Sequence, residues 1–155
     1  MGLGSSGNPA MVLEREITVN APPETVWNVL AGIAEWPAWN PGVSSVTIGD
    51  NLTVGTHFRW RAKGIQISST VTELIIGRRI CWTGNSVGIH AMHLWTFEPV
   101  GGRTRVTTRE ALSGWLVKIL TVFRPAFLDR SLEKTLAALK ARAEKDAESN
   151  QHTPQ

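Results

Sequence analysis

Cysteine and tyrosine are scarce in this chain: Cys81 is the only cysteine, and no tyrosine occurs among its 155 residues. A lone thiol excludes an intramolecular disulfide and any cysteine cluster for a metal. A reducing, cytoplasmic setting is the default expectation. No apolar run reaches the roughly 18 residues of a membrane-spanning helix. The N-terminus lacks the charged-then-apolar layout of a secretory signal. Phosphate loops, dinucleotide fingerprints, nucleophile elbows and metal-spaced clusters are all missing, so neither a metal nor a cofactor is expected. There is no internal repeat.

What the chain has in quantity is apolar and aromatic. Hydrophobic residues make up 42% of it and tryptophan occurs seven times, enough for one domain with a real core. The net charge is +3 and the pI near 9.5 partly reflects the lack of tyrosine. Charge placement decides what that means. Arg59, Arg61 and Lys63 alternate with Phe58, Trp60 and Ala62, and Arg103, Arg105 and Arg109 oppose Val106, Thr108 and Leu112. These read as the wet faces of two strands. No recognition helix or stacking platform accompanies them, so nucleic acid is not an expected partner.

The longest helical pattern lies near the C-terminus. Leu128, Leu132, Leu136, Leu139 and Ala143 recur every three or four residues, opposite Arg130, Lys134, Lys140, Arg142 and Lys145, which is one apolar stripe on a 3.6-residue repeat. Pro125 places the start of this helix near itself and leaves Trp115–Phe123 as a separate short helix or a bent first segment. Before Gly114 nearly everything alternates as strand: 12–20, 43–48, 55–62, 65–75, 79–83, 89–98 and 104–113. Ala21-Pro22-Pro23-Glu24 opens a short helix carrying Val26, Trp27 and Leu30, and residues 33–40 suit a second. Turns fall at Lys63-Gly64, Gly77-Arg78, Gly84-Asn85 and Gly101-Gly102. Residues 1–10 and 149–155 read as disordered ends, leaving 11–148 as the domain.

This order predicts an α+β fold, a seven-stranded curved antiparallel sheet around a long C-terminal helix, with two short helices after the first strand. The inward parity carries Phe58 and Trp60; Ile65, Ile67, Ser69 and Val71; Ile80 and Trp82; His93, Trp95 and Phe97; and Val106, Thr108, Glu110 and Leu112. A curved sheet meets one helix along a line, and the gap elsewhere becomes a pocket.

The run from Ile17 to Trp27 (ITVNAPPETVW), followed by Trp36-Pro37-Ala38-Trp39-Asn40-Pro41-Gly42-Val43, resembles the opening of the START-like superfamily. More narrowly it is similar to the polyketide cyclase/dehydrase and lipid-transport family. His93–Pro99 and Gly102–Glu110, ending at Gly114, resemble that family's last hairpin, and the resemblance spans about Leu13 to Glu144. It implies a helix-grip fold with a deep, mainly apolar cavity, and mainly structural roles for Trp27 and Trp39. It does not select a reaction, because one fold hosts many activities.

Two inward polar residues stand out. Glu110 occupies an apolar parity, and a buried carboxylate needs a partner or a purpose. A structural pair with Arg15, a ligand-anchoring or catalytic acid, and a solvent-facing Glu110 all remain open. His93 suits acid–base work or a hydrogen bond to a ligand, but equally a satisfied core histidine. His90 points to the other face of its strand, so the two histidines cannot chelate one metal. Cys81 has no neighbouring base and reads as inert.

Three functional readings follow. The first is a cavity for an apolar or aromatic small molecule, lipid- or polyketide-like, in a monomer or homodimer. Its expected contacts are Phe58, Trp60, Ile67, Ser69, Val71, Trp82, Trp95, Phe97, Thr108, Leu128 and Leu132. The second is an aromatic cyclase/dehydrase using His93 or Glu110 as acid or base. The third is a protein-interaction module presenting Met92 and Leu94.

Overall fold

In a computed structural model, which describes residues 9–152, the chain forms the expected sheet wrapped on a terminal helix. Strand β1 (Met11–Val19) is followed by helix α1 (Pro23–Ala31), a 3-10 turn (Ile33–Glu35) and helix α2 (Trp36–Trp39). Strands β2 (Val43–Ile48), β3 (His57–Ala62), β4 (Ile65–Ile75), β5 (Arg79–Ser86), β6 (Ile89–Val100) and β7 (Arg103–Ser113) then meander to α3 (Trp115–Phe123) and α4 (Phe127–Gln151). The seven strands pair antiparallel in the order β1-β7-β6-β5-β4-β3-β2. Pairing of β1 with β7 places the first and last strands side by side, and the α1–α2 crossover carries the chain to the far edge at β2.

Local chemistry accounts for the joints. Pro22, extended at φ −64° and ψ 152°, precedes α1, and Pro23 opens it without wasting an amide. Lys63 and Gly64 both take positive φ, 51° and 78°, as a two-residue hairpin between twisted strands demands. Gly114 (φ 111°) joins β7 to α3, and a Cβ there would stand 2.3 Å from the Gly88 carbonyl oxygen. Only glycine fits. Leu116 N donates to that same oxygen at 3.0 Å, so the β5–β6 turn braces the start of α3.

Two apolar clusters form between sheet and helices. The larger joins Trp27, Trp36, Phe58, Trp82, Trp95 and Phe97 to Leu136, Leu139 and Ala143 of α4. The smaller holds Leu13, Leu112, Val117 and Leu132, with Leu128, Ile89 and Ala91 beside it. Each fully buried leucine or phenylalanine contributes about 1.5–3 kcal/mol by leaving water. Polar clips fasten α4 to β1: Lys140 Nζ donates to Thr18 O at 2.8 Å, and Glu144 Oε1 accepts from Asn20 N at 2.9 Å.

Three expectations are corrected. Strand β5 does not end at Thr83. It runs through Gly84 and Asn85 to Ser86, and the turn lies at Val87-Gly88, where Gly88 has φ 75°. Arg15 does not pair with Glu110. It lies opposite Thr108 in the β1–β7 register, and as an edge-strand residue it reaches Asp129 and Glu133 of α4. Helix α4 continues through Gln151, because its stripe still buries Ala147 and its last turn is closed by His152 N donating to Ser149 O; residues 149–151 are therefore helix and not tail. Of the ends read as disordered, 1–8 and 153–155 lie outside the described residues.

Candidate functional site

A cavity of about 180 Å³ sits at the seam between the two apolar clusters. Trp60, Ile67 and Gly84 of β3–β5 form one wall, and His93, Glu110 and Leu112 of β6 and β7 form the floor. Leu128, Leu132 and Thr135 of α4 and Leu120 of α3 close the top. Among the described residues, its only exposed lining residues are Lys63 and Ile65 of the β3–β4 hairpin, which puts the mouth on that side, next to Phe127 on which Lys63 packs.

Among the polar residues of this mainly apolar lining, His93 and Glu110 are bonded to each other. His93 and Glu110 are cross-strand partners in the β6–β7 register, and His93 Nδ1 lies 3.0 Å from Glu110 Oε1. Their side chains are only 13% and 16% exposed, so the contact is made largely out of water. A carboxylate only accepts, so with Glu110 in that form Nδ1 is the donor of this contact, and a neutral imidazole then carries its lone pair on Nε2. The His93 ring is stacked on Trp82 at 5.7 Å and 25°, and the Trp60 ring stands edge-on at 6.4 Å. A Cβ at Gly84 would come within 3.3 Å of His93 Nε2 and 3.4 Å of Ile67 Cγ2. The missing side chain at Gly84 therefore gives Nε2 its room. Such an imidazole can accept from a hydroxyl or, once protonated, donate to a carbonyl.

The rim is cationic. Lys63 Nζ lies 4.4 Å from the centroid of the Phe127 ring. Partial loss of water, and then the charge of Lys134, hold its ammonium below the ordinary lysine value.

The expected contacts divide into two groups. Trp60, Ile67, His93, Glu110, Leu128 and Leu132 line the cavity. Phe58, Ser69, Val71, Trp82, Trp95, Phe97 and Thr108 do not; they are buried beneath it. The reason is Trp36. Its ring meets Phe58 at 5.8 Å, Trp60 at 5.3 Å and Trp82 at 5.3 Å, filling the inner end of the space between sheet and helices. Phe97 is taken up by an edge contact with Trp27 at 5.4 Å, and Ser69 Oγ accepts from Trp60 Nε1 at 3.0 Å. Trp39 is only half-buried, so of the pair in Trp36-Pro37-Ala38-Trp39 the first is the core residue. Sequence reasoning missed Trp36, Gly84, Leu120 and Phe127. The positive-φ Lys63-Gly64 hairpin was visible, but its packing on Phe127 was not.

The family model described as polyketide cyclase / dehydrase and lipid transport matches residues 11–144. No curated protein sequence matches the chain. Among solved structures, a hypothetical protein from Helicobacter pylori superposes with a TM-score of 0.79 at 20% identity, over 90% of this chain and 91% of that one. An aromatase/cyclase from a Streptomyces species gives 0.77 at 18% identity, over 87% and 94%. A START superfamily protein from Mycobacterium smegmatis gives 0.71 at 17% identity, over 86% and 97%. At these identities the likeness is one of fold.

Proposed function

Since the chain belongs to the polyketide cyclase/dehydrase and lipid transport family, we propose that it binds one compact, mainly apolar or aromatic molecule in the cavity under α4. The His93–Glu110 pair would be its polar anchor. The observation that carries this reading is the placement of that hydrogen-bonded, nearly buried polar pair in the floor of a mainly apolar, solvent-connected space. Volume limits the ligand. A dry cavity of about 150 Å³ holds benzene, whereas drug-sized ligands occupy about 300–1,000 Å³. A cavity of about 180 Å³ suits a one- or two-ring molecule with a hydroxyl or carbonyl that meets His93 Nε2.

Titration with phenol and naphthol, followed by native mass spectrometry and tryptophan fluorescence, tests this. Leu128→Trp fills the cavity from a half-buried position and is expected to abolish uptake. His93→Gln is expected to weaken naphthol by up to about tenfold, the worth of one net hydrogen bond, while leaving naphthalene unaffected. Unchanged binding in Leu128→Trp would place the ligand elsewhere and end the proposal.

One observation favours a second reading, an enzyme. His93 Nδ1 lies 3.0 Å from Glu110 Oε1 while Nε2 stands beside Gly84 of the cavity wall, an arrangement that suits an oriented general base. In a cyclisation with loss of water, His93 would take a proton from carbon and return one to the departing hydroxyl. That reading requires His93→Gln to keep binding and lose turnover of a keto substrate.

A further inference from the structure

Helix α3 has an apolar side that the fold does not cover. Val117 is its only fully buried residue, while Trp115, Ile119, Val122 and Phe123 are 58%, 44%, 72% and 77% exposed. Spacings of four, three and one residues put these four on one face of the helix. Val87, at the tip of the hairpin that braces α3, is 83% exposed and extends the patch. Cations flank it toward the C-terminal end of α3. Lys118 lies on α3 and Arg124 ends it, and a shallow depression that includes Arg124 is lined also by Lys63, Arg130 and Lys134, with no carboxylate among the described residues. All five are exposed. The nearby acids Asp129 and Glu133 are engaged by Arg15.

We propose that α3 and its basic surround form a peripheral docking surface for an anionic lipid bilayer, seating the cavity mouth against the membrane. An apolar face edged by tryptophan and flanked by lysine and arginine is the composition of a helix that lies in the headgroup region. No helix among the described residues is long and apolar enough to cross a membrane, so attachment is by insertion of side chains from one face. A second copy of the chain fits less well, because a two-fold contact through this patch would bring two sets of five cations together. Leu120 and Phe127 line the cavity from the same α3–α4 corner that carries the patch, so docking brings the mouth to the acyl boundary. The consequence, exchange of an apolar ligand with the bilayer, rests on the proposed ligand-binding function; the docking itself does not.

The test is co-sedimentation of the full chain, without cavity ligand, with phosphatidylcholine vesicles containing about one-third phosphatidylglycerol. The anionic vesicles are expected to bind the protein and pure phosphatidylcholine far less, with affinity falling as salt screens the charges. Lys118→Glu and Arg124→Glu are each expected to weaken binding at least about fivefold. Val122→Asp and Phe123→Ser, whose side chains are exposed and not needed for folding, are expected to abolish it. Brominated acyl chains are expected to quench Trp115. Met92→Glu, on the outer sheet face, and the cavity-filling Leu128→Trp are expected to bind as the parent does. Absence of anionic-vesicle binding, or full binding by Val122→Asp and Phe123→Ser, would overturn the proposal. So would concentration-dependent dimers dissolved by those two variants, because a second copy would then cover the face. Vesicle binding lost while naphthol uptake persists removes this inference alone, and the converse removes only the ligand reading.

Discussion

Trp36 holds the inner half of the domain closed, and its truncation has a cost that can be worked out. The side chain is 3% exposed, and its ring packs against Phe58, Trp60 and Trp82. Its Nε1–H donates at 2.9 Å to Leu30 O, one of the last carbonyls of α1, which has no partner within the helix. Trp36→Phe keeps most of the packing and loses that bond. A buried carbonyl left unpaired costs about 1–3 kcal/mol, or roughly 2–12 °C in Tm for a domain of this size. Trp36→Ala loses both, and large aromatic-to-alanine changes in cores cost about 3–5 kcal/mol, or roughly 6–20 °C. Where the variant falls in that range reports whether the space stays open, since residual void costs about 24 cal/mol per Å³. A void behind Trp60 would adjoin the cavity. Trp36→Ala near the upper end should therefore take up anthracene, which the parent is expected to exclude, whereas collapse of α2 would give a smaller loss and no new ligand. Calorimetry paired with a fluorescent ligand panel reads both quantities. A loss below about 1 kcal/mol, or a full loss with an unchanged ligand range, would refute the assignment of Trp36 as the residue that limits the cavity.

Two further outcomes are expected. Glu144 is held below the usual carboxylate value by the Lys140 side chain first and the Asn20 amide second. A depressed folded-state value contributes stability that is present above the unfolded carboxylate pKa and lost as pH falls through the folded one. Glu144→Gln should therefore lower Tm at neutral pH, with the gap to the parent closing under acid; a gap constant from pH ~7 to ~3 would show that the α4–β1 clip does not depend on the charge. Thr108 is fully buried with no protein partner for Oγ1. Thr108→Val keeps the shape and removes the unpaired hydroxyl, so it should stabilise by about 1 kcal/mol or more and leave naphthol binding intact; a fall in urea midpoint would show instead that the hydroxyl is bonded in the native protein.

The sheet and the terminal helix were legible because each rests on a long repeat. Alternation from Ile65 to Thr72 in β4 and a stripe from Leu128 to Ala143 leave little choice of element or face. The inward parity was legible for the same reason, and it correctly put His93 and Glu110 on one face. Partnership was less so. Leu13 and Arg15 share a parity, and only the register shows that Leu13 lies opposite Glu110 while Arg15 turns to the acids of α4. The β5 turn was misplaced because Gly84-Asn85 has turn chemistry. The structure uses Gly84 for close approach to the His93 ring and leaves the reversal to Gly88.

Why the site was half legible follows from what parity can say. Alternation sorts side chains into inside and outside, but in a curved sheet the inside is partly solid and partly space. Trp82 and His93 both point inward and stack on each other, yet one is covered by Trp36 and the other faces the cavity. The covering residue comes from a four-residue helix, too short for periodicity to choose between Trp36 and Trp39. The boundary between core and cavity is thus drawn by α2, the element with the weakest sequence signal. A change at Trp36 can consequently alter what the protein holds while leaving the strand order, the His93–Glu110 pair and the α4 stripe untouched.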